Sequence, residues 1–263
     1  MCDYRELPPP RPLAAHLVCL WTRTTGEREA ELRPRVLPDG CIDIVWMGDA
    51  APAVVGPATR AVRPSLPRRS TIVGARFRPG MAPSLLGLPA SELLDAEVPL
   101  PDIWGREAAG RAVRAAELRT VEARLAAAEA ALVDRLAVAG PSDKPVRAAV
   151  AWLIRHPAGR VGELSRWCGL SERQLLRRFE AAVGYGPKTL QRILRFRRWL
   201  HLASRMPNGR SGLAELAAVA GYADQAHLTR EVARLAGVPP AALLADGAGA
   251  GPGSDSLSMN SGH

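Results

Sequence analysis

The chain has 263 residues, of which 47% are hydrophobic and 23% are charged, and its formal net charge is +9. This composition excludes an intrinsically disordered chain, and the length suffices for one large domain or two ordinary ones. Residues 1–140 contain 18 Arg and 17 acidic residues, whereas residues 141–246 contain 17 Lys and Arg residues and 8 acidic ones. The excess positive charge therefore lies in the C-terminal part, where it favours a polyanionic partner.

The spacing of the cysteines and the absence of common catalytic motifs argue against secreted, membrane-spanning and enzymatic proteins. The four cysteines show no CxxC or zinc spacing, which predicts free thiols in a reducing compartment. The apolar run at residues 13–21, LAAHLVCLW, is too short for a bilayer and lacks the features of a signal peptide. The motifs GxxxxGK, HExxH and GxSxG are absent. We predict a cytoplasmic protein with no enzymatic activity, no cofactor, no metal site and no membrane partner.

Residues 1–105 consist of short apolar runs separated by prolines, which predicts a mostly-β domain. The predicted strands lie within RVLPDGCIDIVWM at 35–47, AVVG at 53–56 and RSTIVGARF at 69–77. Each is rich in β-branched residues and has the length of an ordinary strand. Short helices are predicted near 81–87 and 90–95.

Residues 106–138 are rich in strong helix formers, which predicts a helical connector. An apolar stripe runs along it at Leu118, Val121, Leu125, Leu132 and Leu136. Two interpretations stay open: the stripe covers the domain's own core, or it pairs two chains in a homodimer. Residues 139–145, AGPSDKP, are predicted to be a linker in which Ser142 or Asp143 caps the next helix. The Gly- and Ser-rich tail at 247–263 is predicted to be disordered.

Residues 146–246 contain an internal repeat. VGELSRWCGLSERQLLRRFE begins at Val161, and LAELAAVAGYADQAHLTREV begins at Leu213. The copies align at an offset of 52 in the first helix and 53 in the second; the matched pairs are Glu163/Glu215, Leu164/Leu216, Gly169/Gly221, Leu175/Leu228, Arg177/Arg230, Gly184/Gly237 and Pro187/Pro240. Each copy predicts a helix-turn-helix, with a Gly that ends one helix and Ser171 or Asp224 capping the next.

Helical geometry separates the two faces of each second helix. Leu175, Phe179 and Val183 point inward in the first copy, and Leu228, Val232 and Leu235 do so in the second. The outward side chains are predicted to contact DNA bases, with a merely solvated surface as the alternative; they are Arg173, Gln174, Arg177, Ala226, His227, Thr229 and Arg230.

The segment between the copies predicts one basic helix of about 18 residues, roughly 27 Å long. Such a helix could hold two recognition helices near the spacing of one DNA turn. Basic residues of this segment and two polar residues of the first repeat copy are predicted to contact phosphates. The set is Ser171, Arg178, Lys188, Arg192, Arg195, Arg197 and Arg198.

The repeat and the connecting helix resemble the AraC/XylS family of bacterial transcription regulators. The resemblance rests on GLSERQLLRRFEAAVGYGPKTLQRILRFRRWLHL and LAELAAVAGYADQAHLTREVARLAGVPPAALL. It implies an all-α double helix-turn-helix domain whose two units enter successive major grooves of an operator in double-stranded DNA. For an activator it also implies contact with RNA polymerase. The chain departs from the family at Val232, where an aromatic residue is usual, which predicts a looser or repacked second unit.

The N-terminal region resembles a sensor-like domain of some members of this family. The residues that carry the resemblance are LPDGCIDIVW, VVGPATRAV, ARFRPGMAPSLLGLPASELLD and LPDIWG. The resemblance implies a small, barrel-like β domain that binds an unknown small-molecule effector or supports dimerisation. The predicted fold class is thus a two-domain α+β protein, and the predicted function is sequence-specific transcription regulation.

Two alternatives to this function remain. A non-specific architectural DNA-binding protein would bind all sequences equally. An enzyme-like N-terminal domain tethered to DNA would need a metal or thiol site, for which Asp39, Cys41 and Asp43 are the candidates. A core cysteine beside a turn aspartate explains the same three residues more simply.

Overall fold

The computed structural model of the chain describes residues 3–26, 33–157, 159–205 and 212–246. These residues form an N-terminal region built on a β-sheet and a C-terminal region built of helices. The predicted two-domain α+β class is confirmed. The predicted disordered tail, residues 247–263, lies outside the described residues.

The N-terminal region is organised around one antiparallel sheet. Its strands are β1 (Asp3–Leu7), β2 (Leu17–Thr24), β3 (Ile42–Met47), β4 (Ala53–Val55), β5 (Thr71–Phe77) and β6 (Glu97–Pro99). They lie in the order β1-β2-β5-β3-β4-β6. The predictions of β3, β4 and β5 are confirmed, whereas β1, β2 and β6 are not among the predicted strands. Strands β1 and β6 lie at the two ends of this order next to prolines, a composition typical of edge strands.

Helices cover one face of the sheet. Successive side chains of a strand point to opposite faces, so Ile42, Ile44 and Trp46 of β3 are buried on the covered face. The covering elements are α1 (Ala82–Leu86), α2 (Leu100–Trp104), α3 (Arg106–Ala116), α4 (Val121–Leu136) and the 3-10 helices η1 (Arg11–Leu13) and η2 (Ala90–Leu93). Trp46 Nε1 donates a hydrogen bond to the Ala112 carbonyl at 2.8 Å, which fixes α3 against β3. The two short helices predicted near 81–87 and 90–95 are confirmed as α1 and η2.

Helix α4 packs against the sheet domain. Leu132 is fully buried in the core of this domain, and Leu125 and Leu136 pack against the same core. The buried Arg124 of α4 donates 2.8 Å hydrogen bonds to the carbonyls of Thr71 in β5 and Ala116 at the end of α3. Leu125, Leu132 and Leu136 of the apolar stripe therefore cover the domain's own core, as in the first of its two interpretations. We assign α3 and α4 to the N-terminal domain rather than to a separate connector.

The C-terminal region contains seven helices in its described residues. They are α5 (Lys144–Arg155), α6 (Val161–Trp167), α7 (Glu172–Val183), α8 (Pro187–Ser204), α9 (Leu213–Ala220), α10 (Gln225–Ala236) and α11 (Pro240–Ala245). One hydrophobic core joins them, with Phe179, Phe196 and Trp199 fully buried at its centre. Helix α8 is the predicted connecting helix. Neither it nor any other described helix is both long and apolar enough to cross a membrane.

Of the two predicted caps before α5, Asp143 is the one that forms. Its Oδ1 atom accepts a hydrogen bond from the Val146 backbone N–H at 3.0 Å, and Pro145 lies in the first turn. A carboxylate at this position satisfies a backbone donor that has no partner within the helix. The start of the C-terminal region is thereby fixed by local chemistry.

Candidate nucleic-acid interface

The two helix-turn-helix units, α6–α7 and α9–α10, are built by the same local devices. In each unit the first helix is followed by a glycine in the left-handed conformation, Gly169 at φ +65° and Gly221 at φ +91°. Ser171 caps α7 by accepting from the Gln174 N–H at 3.2 Å, and Asp224 caps α10 by accepting from the His227 N–H at 2.6 Å. The sequence-predicted stops and caps therefore orient both recognition helices, α7 and α10.

Each recognition helix buries one face and exposes the other. The inward residues of both copies are buried as predicted; they are Leu175, Phe179, Val183, Leu228, Val232 and Leu235. On the outer faces Arg173, Arg177, Ala226 and Arg230 are exposed. The three arginines make no hydrogen bond or ion pair with any other described residue, which leaves their guanidinium groups open to an external partner.

The other three predicted base-contacting residues have partners inside the protein. Gln174 Oε1 accepts from the Ser171 N–H and hydroxyl, both at 3.0 Å, so these two side chains form a closed capping box. His227 packs edge-on against Tyr222, with 5.3 Å between ring centroids. Thr229 Oγ1 donates to the Gln225 carbonyl at 2.9 Å. A base contact by any of these groups would require an internal contact to be replaced.

The predicted phosphate contact at Arg197 is wrong. Its side chain is buried, with a residue exposure of 7%, because it lies on the face of α8 that packs inside the protein. Its neighbour Arg198 is exposed, as is Lys188 in the first turn of α8. Arg198 and Lys188 therefore stay in the proposed set.

Three further arginines of the predicted phosphate set are engaged inside the protein. Arg178 donates to both carboxylate oxygens of Asp143, at 2.7 and 2.9 Å. Arg192 donates to both carboxylate oxygens of Glu231, at 2.6 and 2.9 Å, and so joins α8 to α10. The Arg195 guanidinium lies over the ring of Tyr222 at 5.6 Å. A phosphate contact by Arg178 or Arg192 would therefore compete with a two-pronged ion pair inside the protein, unlike one by Arg198 or Lys188.

The adjacent arginines Arg197 and Arg198 give a direct test of this assignment. We expect Arg198→Ala to lower the slope of log affinity against log salt concentration by about one unit, since an exposed phosphate contact releases about one counterion. Arg197→Met should leave the slope unchanged, because the buried guanidinium does not reach the DNA. Titration of DNA binding at several salt concentrations measures both slopes. A lower slope in Arg197→Met would contradict the burial of this side chain.

A buried ionic cluster lies on the second face of the N-terminal sheet. Arg76 of β5 is only 4% exposed, and its Nε lies 3.4 Å from Asp43 and 3.5 Å from Asp39. Its Nη1 lies 3.5 Å from the Glu6 carboxylate, and Trp21 Nε1 donates to Asp43 Oδ1 at 2.7 Å. From the sequence, Arg76 is predicted only to lie in a strand, with no functional role. The signal in the sequence is the strand period of two: Arg76 shares a face of β5 with Ile72 and Gly74, opposite the face of Val73, Ala75 and Phe77 that joins the covered core.

This cluster bears on the metal-or-thiol alternative for Asp39, Cys41 and Asp43. Both carboxylates face Arg76, and Asp39 Oδ1 also accepts from the Cys41 N–H at 2.9 Å, as a turn aspartate does. Burial raises the pKa of the Cys41 thiol well above its usual value, and the Asp39 charge raises it further. The reactive thiolate is therefore disfavoured. Within the described chain, no group of three or more His, Cys, Asp or Glu residues is arranged to hold a metal ion.

The ionic cluster extends toward the C-terminal domain. A Cβ atom placed on Gly40 would lie 3.6 Å from the Tyr185 hydroxyl, which follows the end of α7. Tyr185 Oη and Arg197 Nη2 are buried without a hydrogen-bond partner among the described residues. Burial lowers the pKa of Arg197, and the Asp39 charge acts in the opposite direction. Polar groups of both domains therefore meet beside Asp39.

Comparisons with known proteins separate the two regions in the same way. Residues 164–246 match the profile of a family described as a helix-turn-helix domain, and residues 5–99 match a family described as a domain of unknown function, DUF6597. No curated protein matches the chain. Among solved structures, an apo single-site variant of ToxT from Vibrio cholerae strain SCE256 is 12% identical, with a TM-score of 0.42 over 93% of this chain and 96% of that chain. Wild-type ToxT of the same strain, bound to an unsaturated fatty acid, is 12% identical, with a TM-score of 0.41 over 93% and 94% of the two chains.

Proposed function

We propose that this chain is a DNA-binding transcription regulator that recognises a specific operator through Arg173, Arg177 and Arg230. The proposal is supported by the match of residues 164–246 to a helix-turn-helix domain family. One observation carries the proposal. The three guanidinium groups are exposed on the outer faces of two capped recognition helices, and Arg177 and Arg230 occupy equivalent places in the repeat. Arginine reads guanine through two parallel hydrogen bonds in the major groove. Exposed Ala226 completes the proposed surface as a contact for a thymine methyl group.

Replacing Arg177 by alanine tests the proposal. We expect the variant to lose discrimination at one base pair of the selected operator, by about 1–3 kcal/mol or roughly 5- to 150-fold, because one two-pronged guanine contact is lost. Arg234→Ala is the matched control: it removes an exposed arginine from the last turn of α10, away from the capped end. The measurement is the affinity of each variant for operators that carry every single-base change. Unchanged discrimination in Arg177→Ala would contradict the contact assignment.

We further propose that an effector bound by the N-terminal domain controls DNA binding. The second face of the sheet offers charged, aromatic and hydrogen-bonding groups in Arg76, Asp43 and Trp21. The same cluster borders Tyr185 and Arg197 of the C-terminal domain, whose buried polar atoms lack partners among the described residues. A ligand that changed this cluster would therefore act on α8, which joins the two recognition units. Contact with RNA polymerase and homodimerisation stay predictions from the family resemblance.

A further inference from the structure

The C-terminal end of the first recognition helix lies against the N-terminal domain. Helix α7 ends at Val183, and a Cβ atom placed on the following residue, Gly184, would clash with the ring of Pro57. The same atom would lie 3.1 Å from the carbonyl oxygen of Ala90, the first residue of η2. This close approach leaves no room for a side chain. The end of α7 is therefore held between Pro57 and Ala90.

The C-terminal end of the second recognition helix is held by the same domain. Arg35 Nη1 donates to the Ala236 carbonyl at 2.6 Å, and the Ala61 N–H donates to the Leu235 carbonyl at 2.7 Å. Arg35 also pairs with Asp246 at 3.2 Å, and its side chain is 11% exposed. The last carbonyls of a helix have no partner within it, and a cation there is favoured by the helix dipole. The N-terminal domain thus caps α10.

One short segment reaches both ends. We call residues 56–62 the strap: Pro57 contacts the end of α7, and Ala61 contacts the end of α10, four residues later. An extended chain of four residues spans at most about 14 Å, which limits how far apart the two contact points can lie. The equivalent glycines that end the recognition helices, Gly184 and Gly237, are therefore both adjacent to the N-terminal domain, the second facing Arg35 Nη1.

The strap is itself fixed within the N-terminal domain. Thr59 donates to Asp95 through its N–H at 2.7 Å and through its hydroxyl at 2.6 Å. The Asp95 N–H in turn donates to the Pro57 carbonyl at 3.2 Å. At the other end, Val62 and Val36 exchange backbone hydrogen bonds of 2.9 and 3.0 Å. These bonds connect the strap to the segment that carries Arg35, so the strap and Arg35 form one unit.

We propose that the strap and Arg35 set the relative placement of the two recognition helices, and thereby the spacing of half-sites that the protein accepts. They act at the ends of α7 and α10 that are opposite the capped, DNA-facing ends, so they position the helices without touching DNA. Each base pair inserted between half-sites moves one of them by about 3.4 Å and rotates it by about 34°. A rigidly held pair of helices cannot follow that change. This inference rests on the proposed function and assigns a positioning role to the N-terminal domain.

The test compares full-length variants on operators of altered spacing. The DNA set contains the selected operator, versions with one base pair inserted or removed between the half-sites, and one with the second half-site scrambled. We expect the wild type to bind the altered spacings about 10- to 100-fold more weakly than the operator. Arg35→Ala should reduce this penalty to less than about 3-fold while its affinity for the single half-site stays unchanged. Arg60→Ala is the matched control, because Arg60 is an exposed strap residue with no hydrogen bond or ion pair among the described residues; it should keep the wild-type penalty.

A second variant separates the positioning role from a general loss of folding in Arg35→Ala. Thr59→Val removes the side-chain bond to Asp95 but keeps Arg35, and it should reduce the spacing penalty in the same direction. If both variants are folded by circular dichroism and keep the wild-type penalty, the positioning role is wrong. A wild type that does not prefer the operator to scrambled DNA would instead overturn the proposed function, and this inference with it.

Discussion

Replacing Arg76 by leucine should destabilise the protein by about 3–5 kcal/mol at neutral pH. The reason is that Asp39 and Asp43 would stay largely buried without the cation that faces them, and removing one partner of a buried ion pair is strongly unfavourable. Urea unfolding of the full chain measures the loss. Arg78→Leu is the control, since Arg78 is exposed and, among the described residues, its side chain makes one hydrogen bond, to the Ala14 carbonyl at 3.2 Å; its cost should be within about 1 kcal/mol.

The loss in Arg76→Leu should also depend on pH in a defined direction. Burial raises the pKa of Asp43 in the folded protein, and the Arg76 charge opposes that rise. Without Arg76 the folded-state pKa moves further above the unfolded value, so the folded carboxyl binds a proton more readily than the unfolded one. The stability linked to this proton is fully present below the unfolded pKa and is lost as pH rises through the folded pKa. The variant should therefore be less destabilised at pH 5 than at pH 8, and equal losses would contradict a charge-based role for Arg76.

Phe179→Ala should cost about 3–5 kcal/mol, because the ring is fully buried in the single core that joins both helix-turn-helix units. The equivalent position in the second unit is Val232, which is also fully buried. Val232→Phe should therefore destabilise the protein by about 1–3 kcal/mol through overpacking rather than restore a missing contact. Urea midpoints of the two variants check this pair of results. Stabilisation by Val232→Phe would contradict this and indicate that the second unit is loosely packed, which is one of the two consequences predicted from Val232 in the sequence.

The elements that follow local rules could be predicted from the sequence. The two helix-turn-helix units could be predicted from the repeat, because the glycine that ends one helix and the residue that caps the next, Ser171 or Asp224, depend only on nearby sequence. The buried faces of α7 and α10 follow from helical periodicity. Strands β3 and β5 follow from their β-branched runs. Strands β1 and β6 could not be predicted because proline-rich edge segments contain few β-branched residues.

The roles of individual arginines could not be predicted, because they depend on which elements pack together. Arg192, Arg197 and Arg198 lie within seven residues on α8, yet one pairs with Glu231, one is buried and one is exposed. A count of basic residues treats all three as parts of one DNA-facing surface. The pairing of Arg178 with Asp143 joins residues 35 positions apart, and that of Arg35 with α10 joins residues 201 apart. Contacts at such separations leave no local pattern in the sequence.

Sequence-specific DNA recognition is measured as the difference in affinity between an operator and a scrambled DNA. Operator fragments are first selected from genomic DNA, and the affinity of the full chain for the selected operator and for a scrambled version is then measured over a range of salt concentrations. We expect the operator to bind at least about 1,000-fold more tightly at physiological salt, with affinity for both DNAs falling as salt rises. Equal affinities for the two DNAs at every salt concentration would contradict the account and identify a non-specific architectural DNA-binding protein.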